Sequence, residues 1–109
     1  MNKVMQAVLR PAPAGSQKKW MVTLGGKTIK FGARGYQDFT QHKDPERRHL
    51  YLARHRVREN WKDYMTAGFW SRHLLWEKPT ITQAKRSIRK KFGITFVRSR
   101  STHKNLPYY

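Results

Sequence analysis

Cysteine is absent from this 109-residue chain, which excludes a disulfide framework and any thiolate metal site. Acid is nearly as scarce: Asp38, Asp44, Glu46, Glu59, Asp63 and Glu77 are the only six carboxylate side chains, set against 24 Lys and Arg. Long apolar runs are missing too. No uncharged stretch approaches the roughly 20 residues that cross a bilayer, so no integral membrane association is expected.

The groups that catalysis requires are also missing. A reaction needs convergent side chains of tuned protonation, such as paired carboxylates or a nucleophile with its base, and here the acids lie scattered singly. His42, His49, His55, His73 and His103 lack the spacings of a metal site. Gly32-x-x-Gly35 is too short to be a phosphate loop of the Walker type. The expectation is therefore a non-enzyme with no cofactor, no metal and no catalytic residue. The N-terminal segment carries Lys3, an apolar run from Val4 to Leu9, and Ala12-Pro13-Ala14, but the run holds Gln6 and stops at Arg10, which is too short for a secretory signal. An organellar transit sequence stays open, because the first 37 residues contain no acid.

What the chain does have is charge and aromatics. A formal +18 cannot be neutralised internally by six acids, and such a field draws polyanions: nucleic acid, anionic lipid or an acidic protein. Four Trp, five Tyr and five Phe, with 38% hydrophobic residues, point to a folded core rather than a basic tail. A chain of this length forms one domain that buries roughly 60 to 70% of its unfolded surface.

The expected fold is α+β, a β-hairpin packed on about three short helices with extended termini. Residues 1–16 read as an N-terminal arm ending in the Pro/Ala linker Pro11–Ser16, residues 17–97 as a single α+β domain, and residues 98–109 as a basic, aromatic tail. Lys19–Leu24 and Lys27–Phe31 flank Gly25-Gly26, two residues suited to the positive φ of a tight turn. That loop pairs Val22 with Ile29 and Trp20 with Phe31 on one face. Gly32 to Lys43 reads as an ordered loop.

Asp44-Pro45-Glu46 announces a helix running to about Asn60, with Leu50, Ala53, Val57 and Trp61 as its apolar stripe. Thr66 caps a second helix from Ala67 to Trp76. Thr80 and Gln83 form a capping box opening a third, with the stripe Ile81, Ala84, Ile88 and Phe92, closed by Gly93. Ile94 to Val97 returns as a strand.

Two helix faces carry the binding expectation. Arg47, Arg48, Arg54, Arg56 and Arg58 place several guanidiniums on one rigid element, and Lys85, Arg86, Arg89, Lys90 and Lys91 form a second set. Both suit phosphate or an acidic partner, with a merely solvated face as the alternative. Trp61, Phe69, Trp70 and Trp76 read as core or protein-interface anchors. Tyr36, Phe39, Tyr108 and Tyr109 are either base-stacking residues or core plugs.

Two strings, Gly35-Tyr36-Gln37-Asp38-Phe39-Thr40-Gln41-His42-Lys43-Asp44-Pro45-Glu46-Arg47 and Thr66-Ala67-Gly68-Phe69-Trp70-Ser71-Arg72 running on through Leu74-Leu75-Trp76 to Lys78-Pro79-Thr80, carry a resemblance. Over roughly Gly35 to Phe92 the chain resembles a family of small, uncharacterised basic proteins of nucleocytoplasmic large DNA viruses, the marseillevirus-like ones among them. His73 and Glu77 depart from that pattern.

The resemblance implies a virion setting, with host cytoplasm or a viral factory before assembly. The function it suggests is a basic structural component of the particle, a minor capsid or core protein. Its partners would be acidic protein neighbours in a large assembly, double-stranded DNA, or both. A protein that condenses DNA non-specifically through phosphate contacts is the first rival, and an organellar ribosomal protein binding RNA the second. A capsid component should bury Phe69, Trp70 and Trp76 against neighbours, whereas a DNA binder should leave the five arginines from Arg47 to Arg58 exposed on one face.

Overall fold

The computed structural model describes residues 5–98. The chain is α+β, with a four-stranded mixed sheet in the order β3-β2-β1-β4 and short helices against it. The strands are β1 (Met5–Pro11), β2 (Lys18–Leu24), β3 (Lys27–Ala33) and β4 (Ile94–Phe96). Strands β2 and β3 form the expected hairpin, in which Gly25 and Gly26 take φ of 58° and 76° and Trp20 faces Phe31 as Val22 faces Ile29. The alternation sends Val22, Leu24, Ile29 and Phe31 into the core. On the opposite face the Thr23 and Thr28 hydroxyls meet at 2.8 Å.

The boundary expected after Ser16 falls inside the sheet. Residues 5–11 are an inner strand, antiparallel to β2 with Leu9 opposite Val22, and parallel to β4 with Met5 opposite Ile94. Ala7 is fully buried between them. The Pro-rich stretch is the turn between β1 and β2, closed by Ala12 N–H donating to the Lys19 carbonyl at 2.9 Å. Arg34 holds this turn down: its Nε donates to the Ser16 carbonyl at 2.8 Å and its Nη2 to that of Lys18 at 3.0 Å. Proline lacks a backbone donor, so a Pro-rich run suits a turn pinned through carbonyls as well as it suits a linker.

Within the stretch expected as loop, Phe39–His42 is one helical turn, α1, with Asp38 as N-cap and Gln41 completing a capping box. The next helix, α2 (Pro45–His55), is capped by Asp44, which accepts from the Glu46 and Arg47 amides. It ends short of the expected Asn60; turns follow, with the Arg58 and Glu59 amides both donating to the His55 carbonyl.

Thr66 caps α3 (Ala67–Trp70), which runs on into a π-helical turn, Ser71–Leu75. Finally α4 (Ile81–Phe92) opens at Thr80, whose hydroxyl accepts from the Gln83 amide at 3.2 Å, and stops at Gly93 with φ 71°.

The core lies between the sheet and the layer made by α3, the π-helical turn and α4. Phe31, Phe69, Trp70, Leu74, Leu75, Ile88 and Ile94 are almost wholly removed from water, each contributing about 1.5 to 3 kcal/mol by transfer out of water. The stripe read on α4 is the buried one, with Ala84 and Ile88 inside and Ile81 and Phe92 at the margin.

The stripe read on α2 is not. Leu50 is 51% and Val57 78% exposed, and the residue that α2 buries is Tyr51. The face of α2 turned to the body carries Arg47, Tyr51, Arg54 and His55, which share a side at helical spacing, with the half-exposed Leu50 at its border.

Candidate functional site

Five of the six acids are engaged within the fold. Glu77 gathers Arg48, Arg72 and Lys91, and Asp38 pairs with Lys19 at 2.8 Å. Glu59 accepts from the Trp61 indole at 2.9 Å and meets His55 at 3.2 Å, while Asp44 and Asp63 accept backbone amides. Burial alone would raise the Glu77 carboxyl, but the hydrogen bond and charge of Arg72, with Lys91, outweigh it and hold the group below the usual carboxylate range. Among the described residues, most of the cations are left without a counter-charge.

Arg48 belongs to that internal network rather than to an outward face. Its Nε donates to the Trp76 carbonyl at 2.7 Å, and its guanidinium lies 5.6 Å from the Phe39 ring centroid. The five arginines thus do not form one face. Arg47, Arg54, Arg56 and Arg58 are exposed and have no ion-pair partner among the described residues.

On α4, Arg86, Arg89 and Lys90 are exposed in the same way. Lys85 is half-buried with its ammonium 5.4 Å over Phe96, and Lys91 reaches Glu77 at 3.4 Å. Together with Lys78, Arg86 and Lys90 border a shallow basic groove of about 540 Å³.

A second cavity of about 540 Å³ opens beneath α2. Its far walls are small residues: Gly32 and Ala33 from β3, and Ala67, Gly68 and Ser71 from the helical layer. Over it stand Tyr51 and two neighbours. The Tyr51 ring has Trp76 at 4.1 Å with planes 3° apart, and His55 at 4.1 Å with planes 23° apart. Two near-parallel rings at that distance must occupy opposite faces, so Trp76, Tyr51 and His55 form a continuous stack. Its Trp76 end is closed by His42 at 5.3 Å. Burial pushes the Tyr51 phenol well above its ordinary range. Arg47, Arg54 and Lys18 border the cavity, and none has an ion-pair partner among the described residues.

The four expected anchors separate. Phe69 and Trp70 are core, fully buried by the chain itself, and are not available to a neighbour. Trp76 is half-buried in the ring stack. Trp61 lies half-buried with the Arg72 guanidinium 5.0 Å over its ring. His73 is also interior, its Nε2 2.8 Å from the Trp61 carbonyl and its ring between Phe69 and Phe92.

Tyr36 is 75% exposed and Phe39 half-buried against α2, while Tyr108, Tyr109 and His103 lie outside the described residues. Among the described residues no group of three or more His, Cys, Asp or Glu could hold a metal, and no helix is long and apolar enough to cross a membrane.

Sequence reading missed the ring stack and the cavity. The signal within α2 was Arg47, Leu50, Tyr51, Arg54 and His55 at i, i+3, i+4, i+7 and i+8, a helical face masked by its charges. No curated protein and no solved structure matches the chain. Residues 7–55, from within β1 to the end of α2, match the model of a family of unknown function, DUF5754.

Proposed function

We propose that the chain is a non-enzymatic nucleic-acid-binding protein that grips the phosphate backbone through the exposed cations of α2, the turn after it, and α4. One observation carries this reading: five of the six acids are occupied within the fold, so Arg47, Arg54, Arg56, Arg58, Arg86, Arg89 and Lys90 stay free for an outside polyanion. Guanidiniums and ammoniums on short, well-capped elements neutralise phosphates and release counterions, which needs no base recognition. The burial of Phe69 and Trp70 inside the chain removes two of the three aromatic anchors that a shell component would offer its neighbours.

The test is binding of the purified protein to random-sequence duplex DNA across a salt series. Micromolar or tighter affinity near 150 mM salt, with a slope reflecting several phosphate contacts, is the expected result. Feeble binding of shallow slope would overturn the reading.

A second reading has its own observation. Leu50 and Val57 are exposed apolar residues among Arg47, Arg54, Arg56 and Arg58, a mixture that suits an acidic protein neighbour better than a phosphate backbone. With the resemblance over Gly35 to Phe92, this is the virion reading: a basic structural component of a large DNA virus particle held by acidic partners. Shallow DNA binding would favour it.

A further inference from the structure

We infer that the cavity beneath α2 holds one unpaired nucleotide of a single strand, its base stacked on His55 and its neighbouring phosphates on Arg47, Arg54 and Lys18. The inference rests on the phosphate-binding reading above and adds a base-binding site to it.

His55 ends the ring stack on the side away from Trp76. Tyr51 covers one face of the imidazole and the Glu59 carboxylate meets its Nδ1 edge, yet the side chain keeps 37% of its exposure and lines the cavity. With Tyr51 on one face and Glu59 at the Nδ1 edge, the other face is the one on which a fourth flat ring would continue the stack. Every nucleobase has such a face, so stacking tolerates any sequence.

The walls at Ala33 and Ala67 are small and leave space, while Gly68 is covered by the Glu59 side chain. Of the cavity's two carboxylates, Asp38 is paired with Lys19, and Glu59, hydrogen-bonded to His55 and Trp61, faces the three cations Arg47, Arg54 and Lys18 of the same cavity.

The rim favours a strand over a free nucleotide. Arg47 and Arg54 stand two turns apart on one side of α2, roughly 10 Å along its axis. That separation reaches beyond a single phosphate. Duplex DNA presents its bases already stacked and paired, so only an unpaired nucleotide can enter without unstacking.

The experiment compares a short fluorescent oligothymidylate with a base-free deoxyribose-phosphate oligomer of equal length and charge, at about 150 mM salt. The native protein should bind the base-bearing strand roughly tenfold more tightly. His55→Ala should abolish that preference and His55→Phe restore it, a pattern that loss of the Glu59 contact would not produce, since both substitutions remove it. Ala33→Trp, which fills the cavity from the exposed end of β3, should also abolish the preference while leaving base-free binding unchanged; it serves as well if His55→Ala does not fold. Equal affinity of the native protein for both oligomers, or an Ala33→Trp variant that keeps the preference, would overturn the inference and leave phosphate binding standing. Displacement of the strand by equimolar thymidine monophosphate would overturn it too. If neither oligomer nor duplex DNA binds, the phosphate-binding reading itself fails.

Discussion

Tyr51 lies face to face with Trp76, ring centroids 4.1 Å apart and planes within 3°, and this contact joins α2 to the end of the π-helical turn. The backbone of α2 comes close to α1 rather than to the sheet, so the aromatic contact and the Arg48 bond to the Trp76 carbonyl hold the helix over its cavity. Tyr51→Ala should therefore cost about 3 kcal/mol in urea unfolding, within the range for a large buried aromatic. Tyr51→Phe, which keeps the stack, should cost about 1 kcal/mol or less. Equal losses for the two would place the stabilisation in the hydroxyl rather than the ring.

Glu77 is the counter-charge for three cations drawn from α2, the π-helical turn and the last turn of α4. Glu77→Gln leaves Arg48 and Arg72 half-buried without it and should destabilise by about 2 kcal/mol, below the figure for a fully buried pair because Lys91 is well exposed. Since the folded carboxyl titrates below its usual value, this stabilisation is present at neutral pH and is lost only as pH falls through the depressed folded value. The check is Tm against pH: the native protein and Glu77→Gln should converge in acid.

His73 gives a pH effect at a higher window. Burial between Phe69 and Phe92 holds its imidazole below the ordinary range; Arg72 and Lys91 push the same way, against the Trp61 carbonyl and Glu77. Below about pH 6.5 the unfolded chain takes up a proton that the folded one refuses, so stability falls as pH drops through that value. His42 acts in the same direction. Tm should fall between about pH 7.5 and 5.5, and His73→Gln should flatten the fall. An unaltered profile would remove His73 from the account.

The arginines of α2 and its following turn should divide in solution as they do in the structure. Arg54, Arg56 and Arg58 changed together to Gln should lower the salt dependence of DNA binding by up to about 0.9 log units per lost phosphate contact, with Tm nearly unchanged. Arg48→Gln should do the reverse, lowering Tm and sparing the slope, because its guanidinium already serves Trp76 and Glu77.

Gly32 combines a φ of 80° with a neighbour that leaves no room: a Cβ there would stand 2.8 Å from the Leu75 side chain. Gly32→Ala should cost about 1 to 3 kcal/mol in urea unfolding, from backbone strain and overpacking together. Gly15, which has open space around it, should tolerate alanine.

The features that could be read in advance are those set by neighbours in sequence. The hairpin register followed from Gly25-Gly26 and the alternation around it, and the caps at Asp44, Thr66, Thr80 and Gly93 followed from the side chains that satisfy helix ends. The α4 stripe was legible because the face it marks is the buried one. Strand β1 was not, since its short run has no decisive period and its parallel partner lies at the far end of the domain. The face of α2 was misread because Leu50, Ala53 and Val57 imitate a core stripe, whereas the true inward residue is fixed by Trp76, which α2 alone does not reveal. A cavity between elements has no local signature at all.

The pairing of β1 with β4 sets an order in time. Strand β1 can pair with β2 once residues up to Leu24 have been synthesised, but the partner of its other edge is Ile94–Phe96, some seventy residues later. Until then a half-built sheet presents open backbone donors and acceptors, with apolar Ala7 and Leu9 beside them, to every other nascent copy or passing polyanion. For a chain this rich in positive charge, mutual repulsion between copies is the safeguard during that interval, and high salt at the moment of refolding should remove it.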